Sequence, residues 1–232
     1  RRRVLAWLIT CLFLGRNSYA ARLGNKIPGQ AKKTSKAERL RRWLNNRHVQ
    51  VRRWYRFMAE QLIEQATASG HPLRLIVDGT RIGNNHQLLM IAIAYRRRAL
   101  PVAWTWVRCR RGHSSARKQL ALLGYVHSLI PNSVQVQLVG DSEFGPVPVL
   151  KQLDAWGWHY VLRQKGRFLV RMSQSDHWQR FDELLSAVGD SLWAPQAHLT
   201  EKHAYPTTLC ALWRRGEKQP WYLVTNLPNQ QL

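Results

Sequence analysis

Apolar residues in the middle of the chain come in short runs divided by polar and turn residues. "LRLIVDGT" (73–80) is a short apolar strand closed by Asp-Gly. "LLMIAIAY" (88–95) is apolar almost throughout, the pattern of a strand buried on both faces. "ALPVAWTWV" (99–107) is a third strand, and Pro101 suits it to an edge position or a bulge. The links between these three are short, which predicts an antiparallel meander. "SSARKQLALLGYVHSLI" (114–130) then reads as a helix capped by Ser114 or Ser115. "VQVQLVG" (134–140) alternates before turning apolar and is a fourth strand. "VPVLKQLDAWG" (147–157) is a helix ended by a glycine, and "WHYVLRQ" (158–164) is a fifth strand.

The pattern therefore predicts a mixed α/β sheet with the order β-β-β-α-β-α-β. This is the order of the ribonuclease-H-like fold, and other mixed α/β folds share it. In the ribonuclease-H-like arrangement the first and fourth strands lie side by side. The first ends at Asp78 and the fourth at Asp141, so their carboxylates are expected to meet at one end of the sheet. Two carboxylates at close range repel, and a divalent cation removes the repulsion. Mg²⁺ keeps several waters and takes one or two carboxylates together with substrate phosphate. Two such ions can clamp the attacking and leaving oxygens of a phosphoryl transfer. Asp78 and Asp141 are thus the candidate metal ligands and catalytic residues. Each also has a plainer reading alone, since Asp-Gly closes turns and Asp141 can cap the helix that follows. Glu143 is expected to point away from the metal, as a surface or capping residue.

Charge sharpens the picture. The chain carries 36 Lys+Arg against 13 Asp+Glu, a net charge of +23. Such self-repulsion points to a polyanionic partner, with nucleic acid first and anionic membrane second. Eleven Trp exclude a disordered basic tail, and 232 residues at 45% hydrophobic content can bury a real core. Residues 1–56 hold 16 Lys/Arg and a single acid, Glu38. Gly24, Pro28 and Gly29 mark turns, and Ser35 with Glu38 reads as a capping box that starts a helix. Leu40, Trp43 and Leu44 are its expected packed face. Lys32, Lys33, Arg39, Arg41 and Arg42 are left for DNA phosphates. A second helix is expected to pack through Val51, Trp54, Met58 and Leu62. The opening "RRRVLAWLITCLFLG" imitates a secretory signal, but its apolar run of about 12 residues is too short to span a bilayer. It reads as a buried helix in a chain that starts inside a longer reading frame. Cys11, Cys109 and Cys210 read as reduced thiols, and the scattered histidines, His198 and His203 included, offer no zinc pattern.

"IVDGT", "LVGDSEFG" and "YVLRQKG", preceded by "ARLGNKIPGQAKKTSKAERLRRWL", together resemble the DDE transposases of bacterial insertion sequences, of the insertion-sequence-4 type. The resemblance runs over nearly the whole chain. It implies a ribonuclease-H-like core, dependence on Mg²⁺ (Mn²⁺ able to substitute), nicking of element ends and joining of the 3′-hydroxyl to target DNA. Asp78 and Asp141 match the first two acids of the family's triad, and Arg163 and Lys165 fall where basic residues contact DNA. The partners implied are double-stranded DNA, as inverted terminal repeats and target, and a second copy on that DNA, with no membrane and a cytoplasmic, nucleoid-associated location.

The implied organisation is a helical DNA-binding region at 1–70, a catalytic core at 71–165 and a β-rich insertion at 166–232. In the insertion, "RFLVRM", "TTLCALWRR" and "PWYLVTNLP" read as strands, with turns at Gly189, Pro195 and Gly216. Trp178, Trp193, Trp213 and Trp221 can stack on an unpaired base, but the favoured expectation is that they are core residues of this small sheet. The family's third acid, a Glu on a Tyr-Arg-Glu-Lys helix, has no match before the closing "NQQL". The expectation is a chain truncated before that helix and inactive alone. A truncated derivative acting as an inhibitor, another ribonuclease-H-like nuclease such as a junction resolvase, and a basic RNA-binding structural protein are the competing expectations.

Overall fold

The structure is a computed structural model and describes residues 2–108 and 113–228. Cys109 and the closing "NQQL" (229–232) lie outside the described residues. Cys11 is buried, Cys210 is half-buried, and both are free. The chain divides into two compact units, Arg1–Tyr55 and Arg56–Leu232. Among the described residues no helix is long and apolar enough to cross a membrane.

The first unit is helical: α1 (Arg2–Gly15), α2 (Ala20–Gly24), α3 (Lys33–Leu44) and the start of α4 (Val51–Thr67). Its core is small, with Leu8, Cys11, Leu23, Ile27 and Leu40 buried and Val4, Trp7 and Trp43 packed against them. The Lys36 ammonium donates to the carbonyls of Ile27 and Gly29 at 2.8 and 2.7 Å, which holds the link before α3. Several expectations are corrected here. α1 is not buried all round: its apolar run covers every side of the helix, only one side meets the core, and Phe13 is left 84% exposed. α3 starts two residues before Ser35, with Lys32 at the N-cap and no side-chain cap. Ser35 therefore lies inside the first turn, and Glu38 pairs with Arg41 at 3.4 Å instead of closing a capping box. Leu44 is exposed. On α4 the buried residues are Ala59 and Ile63, whereas Val51, Trp54 and Met58 are exposed.

The second unit is built on one ten-stranded sheet. Its elements after α4 begin with β1 (Leu73–Ile82), β2 (His86–Tyr95), β3 (Arg98–Arg108), α5 (Ala116–His127), β4 (Val136–Gly140), α6 (Val147–Ala155) and β5 (His159–Arg163). There follow β6 (Leu169–Arg171), β7 (Gln179–Arg180), β8 (Ser191–Leu199), β9 (Tyr205–Leu212) and β10 (Trp221–Thr225). The strand order is β3-β2-β1-β4-β5-β10-β9-β8-β6-β7. From β1 to β5 the elements follow the order expected from the hydrophobic pattern. β1, β2 and β3 form the antiparallel meander, β4 runs parallel to β1, and β5 runs parallel to β4. Pro101 meets both expectations at once, on the edge strand and beside the register shift at Ile91/Ala92. Pro195 does not mark a turn between strands. It lies within β8, where the register slips between Ala194 and Ala197 and Gln196 takes a φ of 56°. A bulge absorbs the missing N–H, so the strand continues past the proline.

Alternation along the strands decides what is covered. Leu73, Leu75 and Val77 on β1, Leu138 on β4, and Tyr160 and Leu162 on β5 are each at most 3% exposed. α5 and α6 cover this face with Leu122, Leu123, Val126, Val149, Leu150 and Leu153, all at most 1% exposed. The residues between them on β1, β4 and β5 point to the other face, which is open in its centre: Val139 is 42% exposed and Trp221 on β10 is 46% exposed.

Candidate metal centre on the open face of the sheet

β1 and β4 stay in parallel register up to the pair Val77–Gly140. The next residue on each is an aspartate, so Asp78 and Asp141 stand level on neighbouring chains, whose spacing in a sheet is about 4.8 Å. Gly140 permits this approach: a Cβ there would lie 2.6 Å from Val77 Cγ1. One expectation changes. Asp78 does not end its strand, because β1 continues to Ile82 against β2, with Asp78 opposite Met90. What ends there is the pairing with β4, which leaves the sheet toward α6.

Both aspartates are exposed. The Asp78 carboxylate accepts one hydrogen bond from the Gly79 N–H at 2.8 Å. Together they line a depression of about 440 Å³ whose floor is Ile76, Val139, Val161 and Leu223 and whose rim includes Arg163 and Trp221. The Arg163 guanidinium sits 5.2 Å over the Trp221 ring. The aromatic ring holds the cation beside the two acids without neutralising either of them.

Of the residues expected to contact DNA, Arg163 is thus beside the acids. Lys165 is half-buried in the loop after β5 and does not line the depression. Lys32, Lys33, Arg39, Arg41 and Arg42 are all exposed in the first unit. Lys33, Arg41 and Arg42 line a groove there of about 660 Å³. Arg39 and Arg3 flank the Trp7 ring at 5.7 and 5.0 Å. Two residues escaped the sequence reading. Trp221 was expected in a core, but β10 is apolar at four of its five positions, "WYLVT", so its sequence does not distinguish the two faces. Glu143 was expected to point away from the metal as a surface or capping residue; it does point away from the open face, but not into solvent. It is half-buried and accepts from Gln87 and Ser114, which an Asp-x-Glu spacing cannot reveal.

The donor set can be tested against a metal. Among the described residues no group of three or more His, Cys, Asp or Glu is placed to hold an ion. Two exposed carboxylates with room around them fit a hard cation that keeps its waters and shares a phosphate.

No protein-family model matches the chain, and no curated protein matches it. Among solved structures it is similar to a piggyBac transposase in a synaptic complex with hairpin DNA, with a TM-score of 0.47 and 14% identity. The match covers 97% of this chain and 51% of the transposase chain, so the chain spans about half the length of that protein.

Proposed function

We propose that the chain is the DNA-binding and catalytic-core portion of a DNA transposase of the insertion-sequence-4 type. On this reading β1–β5 with α5 and α6 are a ribonuclease-H-like core. The strand order β3-β2-β1-β4-β5 and the parallel β1-β4-β5 connections support that assignment. The observation that carries the function is the level placement of Asp78 and Asp141 on the open face of a protein with a net charge of +23.

Asp78 and Asp141 would hold Mg²⁺ or Mn²⁺. Once bound, the cation supplies Lewis acidity to a phosphoryl oxygen and favours a water or 3′-hydroxyl nucleophile. The chain's own residues bring the DNA there. Arg163 offers a guanidinium to a phosphate next to the acids, and the Trp221 ring restrains its direction. Lys33, Arg41 and Arg42 supply phosphate contacts along the groove of the first unit, with Lys32 exposed at the N-cap of α3 and Arg39 exposed on the helix itself. Duplex DNA, as element ends and target, is the proposed partner, bound by two copies of the protein in a bacterial nucleoid.

With two acids and no third within reach among the described residues, these 232 residues are expected to bind DNA well and cut it poorly. The test is a nicking assay on supercoiled DNA with Mn²⁺, run beside Asp78→Asn and Asp141→Asn. Faint nicking that either substitution removes supports the proposal. Robust nicking that survives both contradicts it.

A further inference from the structure

Glu143 lies two residues past Asp141 but on the other side of the sheet. Asp78 and Gly79 point to opposite faces. A Cβ at Gly79 would come within 3.1 Å of Glu143 Oε2 and 2.2 Å of Gln87 Nε2, so the Glu143 carboxylate sits against the covered face, behind Asp78. Its Oε2 accepts from Gln87 Nε2 at 2.7 Å. Its Oε1 accepts from the Ser114 N–H at 2.6 Å and from the Ser114 hydroxyl at 2.5 Å. The Gln119 amide donates to the Glu143 carbonyl and to the Ser114 hydroxyl, each at 3.0 Å. Gln87 and Gln119 are each 2% exposed. The Phe144 N–H donates to the Asp141 carbonyl at 2.9 Å, which closes the turn between the two acids.

One side chain therefore ties the turn that begins at Asp141 to β2 and to the residues leading into α5. The chemistry asks for a carboxylate. Three donors converge on it, and an ionised carboxylate accepts at every site and donates at none. A glutamine would turn an NH₂ toward either Gln87 or Ser114. Charge-assisted bonds of this kind are about twice as strong as neutral ones.

We infer that Glu143 is a positioning residue for the metal centre: it clamps the turn after β4 so that Asp141 stands level with Asp78. The inference rests on the proposed metal reading. Its test is Mn²⁺ affinity, read from the loss of the free-ion electron paramagnetic resonance signal, on the full 232-residue chain. The variants are Asp78→Asn, Asp141→Asn, Glu143→Gln and the pair Glu143→Gln with Gln87→Glu. Glu143→Gln is expected to weaken Mn²⁺ binding roughly 10–100-fold, as loss of a residue that orients a ligand does. The pair restores one donor–acceptor match and is expected to recover part of the affinity. Wild-type affinity in folded Glu143→Gln, with binding lost in Asp141→Asn, overturns the positioning role and leaves the metal centre standing. Unchanged binding in both aspartate variants overturns the metal reading and this inference with it. If Glu143→Gln does not fold, Ser114→Ala removes the hydroxyl that donates to Glu143 and accepts from Gln119, and leaves the Ser114 N–H donor in place. A smaller loss of affinity is then expected, and no loss contradicts the role.

Discussion

Leu138 and Val139 are neighbours on β4, yet Leu138 is 0% exposed beneath the helices and Val139 is 42% exposed on the open face. The same contrast repeats on β1, where Val77 is buried and Asp78 is exposed, and on β5, where Leu162 is buried and Arg163 is half-buried at the rim of the depression. One side of these three strands is a hydrophobic core. The other carries two acids, a cation and a strip of aliphatic residues. A strand that serves stability through one set of side chains thus presents chemistry through the alternate set, and rigidity on the covered side fixes positions on the open side.

The contrast can be broken from the covered side first. Leu138→Ala is expected to cost about 2–5 kcal/mol, since it leaves a cavity on the covered side of the sheet. A chemical denaturation midpoint measures this. Tyr205, also on the covered side, donates to Asp154 and shares a 3.1 Å hydrogen bond with the Tyr160 hydroxyl. Burial, followed by these hydrogen bonds, raises the ionisation of Tyr205 well above the usual tyrosine range, and burial also raises that of Tyr160. Unfolded tyrosine ionises near pH 10. The unfolded chain therefore releases these protons first, so their contribution is whole below about pH 10 and declines as pH rises beyond it. Denaturation at pH 8 and pH 11 should show that decline. Tyr205→Phe should cost about 1 kcal/mol at the lower pH and show a shallower loss above it.

The first unit gives a smaller effect of another kind. Arg41→Ala and Arg42→Ala are each expected to weaken duplex binding evenly across sequences and to lower the slope of log affinity against log salt by about 0.9. Fluorescence anisotropy over a salt series measures it. The smallest effect belongs to the open face. Val139→Ser should cost no more than about 1 kcal/mol, because the side chain is only partly covered and leaves no enclosed cavity. A cost equal to that of Leu138→Ala would erase the distinction between the faces.

How much of this was legible in the sequence follows from the same alternation. The five-strand order could be read because turns, helix periods and strand runs are local signals, and it implied the adjacency of Asp78 and Asp141 without any contact being visible. Which face of β2 or β10 is covered could not be read, because those strands are apolar on both sides. That is why Trp221 looked like a core residue. Glu143 was read correctly as turned away from the metal, but its burial was missed because its partners, Gln87 and Ser114, are far away in sequence and come together only across the sheet. The supposed capping box at Ser35 failed for a local reason: α3 takes up helical geometry at Lys33, and nothing in the S-x-x-E spacing forbids an earlier start.

The central claim is that Asp78 and Asp141 hold one cation between them. The most direct measurement replaces that cation with Fe²⁺ and lets ascorbate and peroxide cleave the polypeptide where the iron sits. Backbone cuts are expected only in the segments around residues 78 and 141, suppressed by Mg²⁺ and lost in Asp78→Asn or Asp141→Asn. Cuts elsewhere, or the same cuts in both variants, would contradict it.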